Sequence, residues 1–570
     1  MEEMPQYRQL VRRFAGGVAL LFLAFSAAAR ADAAPAHVPV VLSAAEAELA
    51  RSMDQLKQQE IAPYFLSYEI VESHTATVTA AFGALTHSSE NKRRVLRVSV
   101  HVGDFALDNT RQVRGGAAGG AAQIPIPLED DAVAIRNVLW YQTDKRYKQA
   151  VEELARARTV SQVAVAQEDK SADFSAAPPE QSVEAIAPFS VNRKAWEEKV
   201  RRYTAPFQKF GNLYDATASF SANQDTRWFV SSDGSAIQSS QTYFRLQISA
   251  FSKADDGMEL PRYETYFAYS PEGLPDDAAI LKAVDKMIAD LVALRKAPVV
   301  DPFTGPAILS GRATAVFFHE VFGHRIEGHR QKSENEGQTF KKMVDQAVLP
   351  DFLSVVFDPT LHRYAGTDLA GSYDFDDEGV KARRVSVVSD GVMHSFLMSR
   401  TPIEGFPDSN GHGRAQAGFN PVARQSNLLV LNSKPISRER LRALLIEEIK
   451  KQGKPFGLLF EDIAGGFTIT GRTIPNAFNV LPLVVYRVYP DGREELVRGV
   501  DLIGTPLTVF SKILAAGDQP AVFNGICGAE SGAVPVSASA PAILVSQIEV
   551  QKKSKSQERA PILAAPFEDK

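Results

Sequence analysis

At 570 residues and 45% hydrophobic composition, the chain is long enough for two or three domains with sizeable cores. Its 63 Lys and Arg against 68 Asp and Glu, with a pI near 6.1, exclude the basic footprint of a nucleic-acid binder. The single cysteine, Cys527, excludes a disulfide scaffold.

Arg8, Arg12 and Arg13 precede an apolar run from Phe14 to Ala29, followed by small-residue sites at Ala29-Arg30-Ala31 and Ala31-Asp32-Ala33. This layout predicts a signal peptide over residues 1–33 and export to the periplasm or another extracytoplasmic space, by a Sec or a twin-arginine route. The run is shorter than the roughly 18 apolar residues that favour a membrane span.

Ser43 is a candidate cap for a helix, and residues 64–73 and 94–102 alternate like half-buried strands. Residues 115–122 (GGAAGGAA) read as a flexible loop, 129–158 as an amphipathic helix, and 161–188 as a surface excursion or linker. A helix near 194–203 then leads into short strands near 213–220, 226–232 and 241–251. Residues 276–295 carry apolar residues at three- and four-residue spacing and run into a proline-containing stretch, where a domain boundary falls. The expected fold is α+β: an α/β N-terminal domain over 40–300, then a β-rich domain over 305–550 with an embedded metal-binding helix and another helix at 437–451. A flexible tail is expected over 551–570.

The segment 312–330 reads RATAVFFHEVFGHRIEGHR, with apolar residues around His319-Glu320. A buried imidazole and carboxylate are costly unless paired or metal-bound, and zinc peptidases supply two ligands and a base from such a helix. Here the spacing is HExxxH, so an ideal α-helix would set His319 and His324 about 140° apart. A π-type turn, or helix termination at Gly323 with His324 swung inward, would bring both rings onto one ion.

This stretch resembles the TldD/PmbA family of modulator peptidases, as do Ser409-Asn410-Gly411-His412-Gly413-Arg414-Ala415 and Asn524-Gly525-Ile526-Cys527-Gly528. The resemblance covers roughly residues 300–550. It implies that His319 and His324 are metal ligands and that Glu320 is the general base acting on metal-activated water. It also implies substrate contacts at His412 and Arg414, and pairing with a second copy or a paralogue. A catalytic zinc site normally has three protein ligands, which makes Cys527 the expected third, with Glu327 and His329 as local alternatives. Tyr373 to Gly379 reads as an acidic turn rather than a calcium loop.

The expected function is an exported metallopeptidase carrying one divalent ion, of zinc type, and hydrolysing peptides or unfolded proteins. The alternatives are a non-catalytic or metal-binding partner within a peptidase assembly, and a redox protein using Cys527, which the absence of a second cysteine disfavours.

Overall fold

The computed structural model describes residues 39–111, 123–163, 169–472, 478–504, 506–553 and 563. The expected signal peptide and the Gly-Ala loop lie outside these residues, as do all but 551–553 and 563 of the expected tail. No helix among the described residues is long and apolar enough to cross a membrane.

Pro63–Ala81 and Ala84–Val102 form an antiparallel hairpin in which Ala81 faces Ala84. The turn is Phe82-Gly83, both at positive φ (45° and 77°), the geometry that two-residue hairpins favour and that glycine adopts without strain. Each strand is far longer than the expected 64–73 and 94–102. In its outer half the inward positions of the first strand are small (Ala76, Val78 and Ala80) and the second strand is polar over Ser88 to Arg93, so the apolar alternation is weak there. Asp215–Ser231 pairs with Pro63–Ala81, Ala236–Lys253 with Asp215–Ser231, and Glu259–Ala268 with Ala236–Lys253, all antiparallel. With the short strands Ile124–Pro125 and Gln181–Val183 these make a seven-stranded sheet.

One face of that sheet is apolar. At one end Leu66, Tyr68, Ile70, Leu96 and Val100 pack with residues of the helices Val40–Leu56 and Ala132–Val163. At the other, Ala76, Val78, Phe220 and Leu246 pack with those of Arg193–Thr204 and Asp277–Lys296. Ser43 does not cap the first helix. It lies inside it, and its hydroxyl donates back to the Val40 carbonyl at 3.0 Å. The described part of the expected surface excursion is also tied down, with Phe174 buried and the Ser175 carbonyl accepting from Arg400 Nε at 2.9 Å.

The second sheet is built around Gly532–Lys552. This strand pairs antiparallel with Ile513–Ala529, Val500–Gly504 and Phe303–Leu309, and parallel with Asn427–Asn432. Phe303–Leu309 pairs parallel with Gly457–Thr468, which pairs with Phe478–Val488, which in turn pairs with Val500–Gly504. The pairings therefore close into a ring. The helix Gly311–Val321 leaves the ring directly after Leu309, capped by Ser310, whose hydroxyl accepts from Ala313 N at 3.3 Å. Its Phe317 and Phe318 are wholly buried in the largest apolar cluster. By chain contacts, residues Val40–Lys570 form one compact unit that contains both sheets.

Candidate metal centre

The apolar helix carrying His319 and Glu320 ends at Val321, and a 3-10 turn follows over Gly323–Ile326. Phe322 at the junction has φ −101° and ψ −55°, and Arg325 N donates to the Phe322 carbonyl at 3.0 Å. Arg325 Nη1 reaches back to the carbonyls of Glu320 and Val321 at 3.2 and 3.1 Å, satisfying groups that the ended helix leaves open. Of the two geometries that suit the HExxxH spacing, the chain uses helix termination.

Gly323 lets the turn form. A Cβ there would lie 1.9 Å from Gln425 Oε1, while Gln425 Nε2 donates to the His319 carbonyl at 3.1 Å. The glutamine amide thus occupies the space a side chain would fill and holds the last helical turn.

His319, His324 and Cys527 converge, their candidate ligand atoms all lying within 4.8 Å of one another. All three are buried. Cys527 Sγ is 3.3 Å from His324 Nε2, and the two imidazole centroids are 5.1 Å apart. The other nitrogen of His324, Nδ1, is 3.2 Å from Glu327 Oε2, which directs Nε2 toward the thiol. Glu320 Oε2 sits 4.0 Å from His324 Nε2, against the backbone of Gly466, where a Cβ would lie 3.0 Å from Glu320 Cγ.

Burial opposes charge on His324, but the Cys527 and Glu327 charges outweigh it and push its pKa up to about 10. Burial likewise opposes a Cys527 thiolate, and His324 and His319 overcome it, holding the thiol well below its usual range. Both shifts come from the close approach of imidazole and thiol, a buried place that favours a positive charge between them. The Nδ1 of His319 is buried with no hydrogen-bond partner. Two nitrogens and a soft sulfur match a zinc-type donor set, so the residues present fit a metal.

Neither local alternative joins the cluster. Glu327 is completely buried and holds His324 Nδ1. It also accepts from Arg330 Nε at 2.8 Å and lies 3.4 Å from Arg424 Nε. Burial would raise its pKa, yet His324 and Arg330 hold it down at about 2. His329 bonds instead to Glu530, which also accepts from Arg330 Nη2 at 2.9 Å. Sequence reasoning missed the roles of Glu327, Arg330, Arg424, Gln425 and Glu530. The only local signal was the charge density of Arg325-Ile326-Glu327-Gly328-His329-Arg330, and charge density alone does not tell a buried network from a solvated one.

The structure does not bring His412 or Arg414 into the cluster. His412 is fully buried, with Nδ1 3.1 Å from Asn410 Oδ1 and Nε2 3.1 Å from Ser426 Oγ, and burial lowers its pKa to about 3. Arg414 donates to the Gln425 carbonyl at 2.6 Å and stacks over Tyr373. It thereby supports the residue that holds His319.

Residues 303–552 match the family described as the PmbA/TldA metallopeptidase C-terminal domain. The C-terminal domain belongs to the PmbA/TldD family. Among relatives of this family, a metalloprotease of Methanothermobacter thermautotrophicus is 26% identical over 345 residues, covering 58% of this chain and 69% of its own. The TldD homologue of Haemophilus influenzae, a metalloprotease, is 25% identical over 43% of this chain and 48% of its own. A zinc metalloprotease TldD homologue of Saccharolobus solfataricus is 24% identical over 43% of this chain and 51% of its own. The matches thus span about half to two-thirds of these relatives. The crystal structure of TldE from Thermococcus kodakarensis superposes with a TM-score of 0.56 at 12% identity, covering 89% of this chain and all of that one. The α+β fold is therefore that of the TldD/TldE structures, and the relatives are metallopeptidases by name.

Proposed function

We propose that this PmbA/TldD-family protein is a one-metal peptidase that cuts peptides or unfolded chains, with His319, His324 and Cys527 as the residues that would hold the ion. The convergence of these three donors beside the buried carboxylate of Glu320 carries the reading. A zinc-type ion bound there supplies Lewis acidity toward a peptide carbonyl and makes water more acidic. Glu320 takes the proton of the attacking water and delivers it to the leaving amine. Glu327 fixes the orientation of His324, and Gln425 fixes that of the helix end. An extended substrate is accepted beside strand Gly457–Thr468, which pairs with Phe303–Leu309 only from Leu458 to Phe460 and whose Gly466 lies against Glu320. Retention of Glu320 favours this reading over a non-catalytic partner role. The proposal includes export and assembly as a dimer with a second copy or a paralogue.

The test is metal analysis of the purified protein together with digestion of a permanently unfolded substrate. One tightly bound ion per chain is expected. Glu320→Ala is expected to keep the metal while turnover falls by about 10² to 10⁴. Unchanged turnover in this variant would assign the base elsewhere.

A further inference from the structure

The face of the first sheet opposite its helices turns toward the C-terminal domain, and it carries arginines. Arg227 pairs with Asp377 and with Glu69 at 3.1 Å. Arg262, on the other face, meets Asp290 of the helix Asp277–Lys296 at 3.0 Å and Asp462 at 2.6 Å. Arg245 has no carboxylate within 4.0 Å among the described residues, and its buried Nε has no hydrogen-bond partner. Its guanidinium lies over the Phe267 ring at 5.2 Å, and Nη2 donates to the Gly525 carbonyl at 3.3 Å. Gln247, next along the same face, is exposed, and Arg245 is itself partly exposed, so its guanidinium is open to solvent on that side.

A half-buried guanidinium whose Nε has no partner leaves room for a carboxylate, and Arg is the side chain suited to hold one. Gly525 and Cys527 are two residues apart on one strand, about 7 Å at the usual rise. An extended peptide advances by a similar amount over two residues.

We propose that Arg245 receives a carboxylate of the peptide substrate and so sets where the chain is cut, one to three residues from that carboxylate. This deepens the peptidase reading and rests on it. The carboxylate is either the free C-terminus or an acidic side chain, and the two are separable.

The experiment measures binding by calorimetry to full-length protein carrying Glu320→Gln, which slows turnover. The probes are one hexapeptide as free acid and as amide, and amidated versions with Glu or Gln near the C-terminus. The same peptides are then offered to the unsubstituted enzyme for hydrolysis. The free acid is expected to bind about tenfold tighter than the amide, or the Glu peptide tighter than the Gln peptide, and whichever pair shows the preference names the source. Adding Arg245→Gln is expected to erase the preference. A purely structural role for Arg245 would weaken all peptides alike and overturns the proposal. Equal binding within both pairs, or no binding by any peptide, overturns it too. A carboxylate preference in binding with no hydrolysis by the unsubstituted enzyme would instead sink the peptidase reading and leave Arg245 as a carboxylate site.

Discussion

Glu327 has a carboxylate with no access to solvent, and three cationic or protonated neighbours depend on it. Glu327→Gln keeps the volume and removes the charge that holds His324 in place. Metal affinity is expected to fall about 10- to 100-fold, read by competition with a chromophoric chelator. Glu327→Ala leaves Arg330 and Arg424 without their carboxylate and is expected to cost about 3 to 5 kcal/mol, read by denaturant unfolding. Gly323→Ala drives a methyl group into the Gln425 amide, with an expected loss of about 1 to 3 kcal/mol. Adding Gln425→Ser should recover most of it. If it does not, the clash lies elsewhere. At this scale the donor residues are legible in the sequence because imidazole and thiol carry their chemistry wherever they sit. Their supports are not. Gln425 lies 106 residues from His319 and Glu530 lies 200 from Arg330, and only the fold converts a charged run into a buried network.

Helices announce themselves more clearly than strands in this chain. Asp276 and Ser437 are caps where the sequence suggests helix starts, their side chains accepting from the N–H groups of Ala279 and Arg440. The strands at 213–220 and 226–232 prove to be one, Asp215–Ser231, because Ser221 to Asp225 is polar on the sheet face that meets other polar groups rather than a turn. Ring closure in the second sheet leaves no sequence trace either, since it depends on which edges meet. It has a measurable consequence. Gly532–Lys552 is bonded on both sides along much of its length, and Ala538, Ala540, Ile543 and Val545 are at most 1% exposed. Their amides are expected to exchange hydrogen more slowly than those of residues 88–93, in the strand Ala84–Val102 of the first hairpin. Equal exchange at both places would show that the ring is not the stable centre.

For the whole molecule, the two large sheets draw on residues 63–268 and 303–552, and polar contacts knit them together within one compact unit. The acidic turn is part of this junction. Asp377 meets Arg227, its carbonyl accepts from Arg97, and Arg400 bonds to Asp233 at 2.8 Å. The sequence does not announce these pairs, because their members lie far apart in the chain and meet only in the fold. Export is a prediction at this scale. Protein recovered from the cell envelope is expected to lack about 31 to 33 N-terminal residues by mass spectrometry, and a full-length cytoplasmic product would refute it. The cluster of His319, His324 and Cys527 also has a history in time. Cys527 is 203 residues downstream of His324. At about 5 to 20 residues per second, a ribosome completes the histidine pair roughly 10 to 40 s before it adds the thiol. During that interval the growing chain offers two of the three donors, and the full set exists only once residue 527 has been added.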